Sequence, residues 1–190
     1  MGLKKCLYLI RSDLYRYYGN CRILTFIKCY FVIPGFKYSL WMRVGHFIKK
    51  NDYFRHLYPF FFLFYWRKGI RFGFDIPVST KIGSGFYIGH FGGVIISGGA
   101  VIGKNCNISQ GVTIGVVNRG ANAGCPQIGD NVYIGPGAKI FGKVIVGNNV
   151  AIGANSVIVK DCPDNSVVAG VPGKVISYLG STGYINRTDY

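Results

Sequence analysis

The chain has 190 residues, of which 49% are hydrophobic, 16% aromatic and only 15% charged. That is too apolar for a disordered chain, and 28 glycines without a G-X-Y period exclude collagen. The formal charge of +15 is unevenly placed: residues 1–74 hold 14 Lys and Arg against Asp13 and Asp52, whereas residues 75–190 hold eight against five Asp.

Residues 1–74 read as a basic, aromatic helical region. Short helices are predicted around 3–18, 22–33, 37–50 and 54–68, broken at Gly19-Asn20, Pro34-Gly35 and Asn51-Asp52. Arg11, Arg16, Lys28, Arg43, Lys49, Lys50, Arg67 and Lys68 alternate with Tyr, Phe and Trp, the composition of helices lying in a bilayer interface. No zinc-ligand spacing, basic zipper or RNP motif accompanies the charge, so an anionic membrane surface is expected as partner and nucleic acid is not. The longest apolar run, Leu57–Trp66, has ten residues, short of a span. Leu7–Ile10 ends at Arg11 and makes no secretory leader. The six cysteines form no CxxC pair or dense framework. The expected location is the bacterial cytoplasm, peripheral on the inner face of the cytoplasmic membrane.

Beyond residue 75 an aliphatic residue returns every six positions. Ile76, Ile82 and Ile88 are in one phase, and Ile96, Ile102, Ile108 and Ile114 in a second after a two-residue slip. Ile128, Ile134, Ile140, Val146, Ile152 and Ile158 form a third. A period of six matches neither helix nor ordinary strand and predicts a parallel β-helix of about four triangular coils, each built from three hexapeptides. The expected fold is therefore mainly β, a left-handed parallel β-helix over 75–175 with a tail at 176–190. The small residue after the aliphatic one, often Gly83, Gly103, Gly129, Gly135 or Gly153, is expected to let the backbone bend at the corner. Two stretches break the period: Ile88–Ile96, which holds His90, and a projecting loop at 115–127. Loops on a rigid scaffold are where function concentrates.

From Asp75 to about Val175 the sequence resembles the serine acetyltransferase branch of the hexapeptide acyltransferases. The text that carries the resemblance is DIPVSTKIGSGFYIGHFGGVII, ISQGVTIG, IGPGAKIFGKVIVGNNVAIGANSVIVKD and VVAGVPGKV. Within that branch it looks closest to the colanic-acid-type exopolysaccharide O-acetyltransferases. The resemblance implies acetyl-CoA as co-substrate, a hydroxyl acceptor and a homotrimer with sites between neighbouring prisms. His90 falls on the family's catalytic histidine and Asp75 on its partner. Fifteen residues being close to one coil, the two are expected to stack on adjacent rungs. Imidazole titrates near neutrality and suits a general base, and a carboxylate on its other nitrogen would fix the tautomer. Gly115, Pro136, Ala154 and Lys174 match donor-binding positions. Arg119 in the loop is read as a contact for the acceptor or the donor phosphates, or equally as a solvated loop arginine. Cys125 has no second histidine to activate it as a nucleophile. No metal is expected, because a γ-class carbonic anhydrase site needs three prism-edge histidines, whereas His46 and His56 precede the repeat.

The departures from the serine enzymes concern charge. Gly89 stands where they carry an Asp, and Gly124 and Cys125 stand where they carry Arg-His. Desolvating an ammonium and a carboxylate without counter-charges costs several kcal/mol. The expected acceptor is therefore a sugar or lipid-linked glycan of capsular or exopolysaccharide biosynthesis, with serine O-acetylation for cysteine biosynthesis as the alternative.

Overall fold

The computed structural model describes residues 1–190. Four helices come first: α1 (Leu3–Tyr18), α2 (Ile23–Val32), α3 (Pro34–Lys50) and, after a 3-10 turn at Arg55–Leu57, α4 (Tyr58–Phe72). Gly19 and Gly73 end α1 and α4 with φ of 68° and 69°, left-handed values that glycine adopts freely. Pro34 does not lie inside a break, as its composition suggests, but opens α3. Its fixed φ suits a first helical position, where no N–H partner is needed. The chain bends by 105° between α2 and α3.

Short strands then wind into three parallel sheets, the walls of a left-handed β-helix. The first wall stacks Phe74–Asp75, Val94–Ile96, Thr113–Gly115, Lys139–Phe141 and Val157–Ile158. The second wall runs from Lys81–Ile82 to Ile145–Val146, and the third from Tyr87–Ile88 to Val167–Ala169. Lys174–Ser177 turns back antiparallel and closes the last edge. All thirteen residues of the aliphatic period are buried in a single cluster. They stack in columns, as in Ile88, Ile108, Ile134 and Ile152.

The reason for the corner glycines differs from the expected one. Gly83, Gly103 and Gly129 are not in the left-handed region. A Cβ on Gly83 would lie 2.6 Å from the Gly103 backbone, and one on Gly103 would lie 2.5 Å from Gly129. Glycine is required there because successive rungs touch. The left-handed turns are taken by Asn105, Asn131, Asn149 and Asn165, at φ of 55–60°. Their side-chain amides hydrogen-bond from rung to rung at 3.0–3.1 Å, and asparagine tolerates this conformation better than other side chains.

The helices seal the first rung. The buried Arg43 guanidinium donates to Ile82 O (2.7 Å) and Gly83 O (2.6 Å) and holds Asp13 at 3.0 and 3.1 Å. Asp13 in turn accepts from Phe86 N at 2.8 Å. Burial pushes the Asp13 carboxyl up, and the guanidinium beside it pulls the other way. Tyr17 donates to Ile88 O and Tyr65 to Ile76 O. The chain end returns to the same rung: Tyr190 donates its hydroxyl to Asn105 Oδ1 at 2.8 Å, and Arg16 donates to Asn186 O. Asp13→Ala, which strands a buried guanidinium, is expected to lower the unfolding free energy by about 3–5 kcal/mol. Urea denaturation reads this directly. Asp13→Leu with Arg43→Met should recover only part of the loss, because Ile82 O, Gly83 O and Phe86 N lose their partners.

Candidate active site

Rung lengths locate the two interruptions. Phe74 pairs with Val94, twenty residues on, whereas Ile95 pairs with Thr113, eighteen on. The two extra residues lie in the corner between Ile88 and Val94, beside His90. Thr113 pairs with Lys139, twenty-six on, because the chain leaves the wall after Gly115 and returns at Gln127.

His90 is exposed at the corner joining the third wall to the first. Above it that corner is built largely of small residues, with Gln110 exposed among them and Phe91 exposed beside His90. Gly111 N donates to Gly92 O, Gly137 N to Gln110 O and Asn155 N to Pro136 O, each at 2.8–2.9 Å. A Cβ on Gly93 would meet Gly111 Cα at 3.3 Å, and one on Gly111 would meet Gly137 Cα at 3.3 Å. The result is an open edge of backbone that climbs from His90 past Gln110-Gly111 and Pro136-Gly137 to Ala154. Three rungs at the usual strand spacing make about 14 Å. The edge continues to Gly170, whose carbonyl accepts from Val157 N, and reaches exposed Lys174 beside Ala169. His90, Pro136, Ala154 and Lys174 are thus brought to one edge.

Other expected site residues stand elsewhere. Asp75 does not stack with His90: its neighbour on the next rung is Ile95, since this coil has twenty residues and not fifteen. No hydrogen bond or ion pair joins Asp75 to His90 within the chain. Asp75 is exposed on a cleft of about 650 Å³ between α4 and the first wall, lined also by Lys49, Tyr58, Trp66 and Ser79. Gly115 lies at the opposite corner of the first wall, where a Cβ would collide with the Phe141 ring. The loop after it folds back through a Val117–Gly124 bridge and is tied by Asn122 Nδ2 to Val159 O. Arg119 is exposed on this loop, across the first wall from the His90 edge. Cys125 Sγ lies 3.5 Å from Ser97 Oγ, and no histidine contacts it. Gly89 has room for a side chain, since a Cβ there would meet only Tyr87 Cε1, at 3.4 Å. No cluster of His, Cys and Asp converges on a metal position.

Lys139 is a member of the edge that sequence reasoning misses. Its ammonium donates to Gly111 O (2.5 Å) and Thr113 Oγ1 (3.1 Å), bracing the open edge. The alternation KIF, with Ile140 pointing inward, puts it on the outer face, but nothing local signals the reach to the rung below.

Comparison with known proteins places this architecture. Residues 125–160 match the family model described as bacterial transferase hexapeptide (six repeats). The serine acetyltransferase of Synechococcus elongatus is 35% identical over 157 residues, covering 83% of this chain and 62% of that protein. The serine acetyltransferase of Staphylococcus aureus (strain Mu50) is 42% identical over 108 residues, covering 57% of this chain and 51% of that protein. The chain thus spans about half to three-fifths of these relatives. The crystal structure of serine acetyltransferase from Brucella abortus superposes with a TM-score of 0.80 at 30% identity, covering 95% of this chain and 72% of that one. Its complex with coenzyme A gives 0.78, also at 30% identity, over 94% and 70%. These matches correct two expectations. The resemblance to exopolysaccharide O-acetyltransferases as closest kin gives way to serine acetyltransferases, and the sugar acceptor inferred from Gly89, Gly124 and Cys125 is overturned by the same relatives. The chain belongs to the hexapeptide-repeat acyltransferases, and the relatives it matches are serine acetyltransferases.

Proposed function

We propose that this protein is an acetyltransferase that moves acetyl from acetyl-CoA to the hydroxyl of serine, with His90 as general base. The observation that carries the reading is His90 at the foot of an edge built largely of glycine, proline and alanine, with Phe91 and Gln110 as its exposed larger side chains. Such an edge fits a long, thin thioester substrate, whose amide groups can bond to exposed backbone. Lys174 at the far end offers a cation to its phosphates.

In the reaction the acceptor hydroxyl gives its proton to His90 as its oxygen attacks the thioester carbonyl. Collapse of the tetrahedral intermediate expels the thiolate, which takes the proton back from the imidazolium. Asp75 is assigned to orient His90, the role that the resemblance to the serine acetyltransferases implies. A homotrimer suits this scheme, since threefold packing would set the Arg119 loop of one chain beside the His90 edge of the next. Serine would meet fewer counter-charges here than in the family pattern, because of Gly89, Gly124 and Cys125.

Purified protein should release CoA from acetyl-CoA in a serine-dependent manner and yield O-acetylserine by mass spectrometry. Absence of serine-dependent release with CoA binding intact would overturn the serine acceptor. His90→Ala should lower kcat by about 10²–10⁴ and leave CoA affinity unchanged. Asp75→Asn should lower kcat less, or by as much. More than a tenth of wild-type kcat in His90→Ala would remove the histidine from the mechanism.

Two substitutions probe the substrates separately. Ala154→Trp, on an exposed corner, should raise the CoA Kd at least about tenfold in calorimetry without changing Tm, by filling the edge. Gly89→Asp should lower the serine KM about tenfold, the worth of one charge-assisted hydrogen bond to an ammonium.

A further inference from the structure

The outer faces of α2 and α4 have no partner in the chain. Eight of the ten residues of α2 are apolar, yet Cys29 is its one buried side chain. Leu24 and Phe31 are 76% and 72% exposed, and Ile23 and Val32 nearly as much. Tyr30 of α2 and Phe64 of α4 both pack on Trp41 of α3, with ring centroids 6.4 and 5.0 Å apart. The two faces therefore lie on one side of the helical layer, where Phe60 and Leu63 continue the apolar surface.

Cations frame this surface. Lys28 sits over the Tyr18 ring, Lys37 over Tyr30 and Lys68 over Phe64, at 4.7–5.2 Å. Partial burial, with the neighbouring charges of Lys68 and Arg71, pulls the Lys37 ammonium below its ordinary value. Neither acid of the helical region offsets them: Asp13 is buried against Arg43, and Asp52 stands by Arg55.

We propose that this face docks on an anionic phospholipid bilayer. α2 lies in the plane of the interface, its aliphatic side chains under the headgroups and Lys28, Lys37, Lys68 and Arg71 at the phosphates. A ten-residue helix is about 15 Å long, half the hydrocarbon thickness, so it lies in the membrane surface and does not cross. No single helix in the chain is long and apolar enough to cross. A second copy of the chain is a poor occupant, because a twofold contact through this face would press like charges together. An anionic surface satisfies both halves of the face, apolar and cationic.

The full-length protein is co-sedimented with vesicles of phosphatidylcholine, alone or with phosphatidylglycerol, at low and high salt. Binding is expected on the anionic vesicles and should weaken with salt. Leu24→Glu with Phe31→Glu should lower the partition at least about tenfold. Lys37→Gln with Lys68→Gln should lower it about 25-fold, fivefold for each cation lost. Both variants should keep wild-type CoA release and the same elution volume. Three results would each overturn the proposal: no preference for anionic vesicles, binding that survives both pairs of substitutions, or a smaller assembly in the Leu24→Glu, Phe31→Glu variant, which would make the face a contact between copies.

Discussion

A rung of eighteen residues whose corners touch the rungs above and below has no room for an extra residue inside the wall. The corner glycines show how little slack there is, since a single Cβ on Gly83 or Gly103 would overlap the next backbone. Any residue beyond the period must therefore leave at a corner, and it does so twice. Two extra residues swell the corner of His90, and a longer excursion carries Arg119 outward. The candidate site is thus a consequence of the period: a regular wall that cannot be varied, and irregular corners that can. The same stacking makes the open edge, because a corner that repeats mostly as glycine, proline or alanine, with Gln110 the exception, presents a column of backbone.

A β-helix has two raw ends, and the first is closed by side chains. Arg43 and Asp13 satisfy one another and also three backbone groups of the first rung. An isolated buried charge would be strongly unfavourable, so the pair holds α1 and α3 in register with the prism or the end comes apart. This arrangement uses one of only two acids among the first 74 residues. The remaining cations of the helices have almost nothing within the chain to pair with, and their outward placement follows from that shortage.

The prism is legible in the sequence because a period of six is a long-range signal repeated thirteen times, which chance substitution does not blur. The helices are legible for a similar reason, with glycine and asparagine at their ends. Contacts between rungs are not. Sequence alone suggests bending as the role of the corner glycines, whereas their role is close approach and asparagines take the left-handed turns. A fifteen-residue separation suggests neighbouring rungs for Asp75 and His90 only if the coil is near that length. The corner insertion makes it twenty, and Ile95 takes the place above Asp75. Lys139 is invisible because its partners lie more than twenty-five residues away in sequence. The sugar acceptor rests on three positions, Gly89, Gly124 and Cys125. Counter-charge arguments of that kind assume that no other part of the assembly supplies the charge.

The two proposals also constrain each other through the axis of the prism. His90 is on the first rung, next to the helices, and Lys174 is at the other end, about 19 Å away if four rungs separate them. With the helical layer on lipid, the reacting end of the open edge is the end near the bilayer, and the phosphate end of the donor points into solvent. That orientation is electrostatically favourable. A multiply charged anion held close to an anionic surface would be repelled, whereas at two Debye lengths in physiological salt the surface potential is largely screened. The reverse arrangement, with the helices at the Lys174 end, would bring donor phosphates and lipid phosphates into competition for the same cations. Under the two proposals, the direction in which the β-helix leaves its helical cap would keep a basic docking face and an anion-binding edge from interfering with each other.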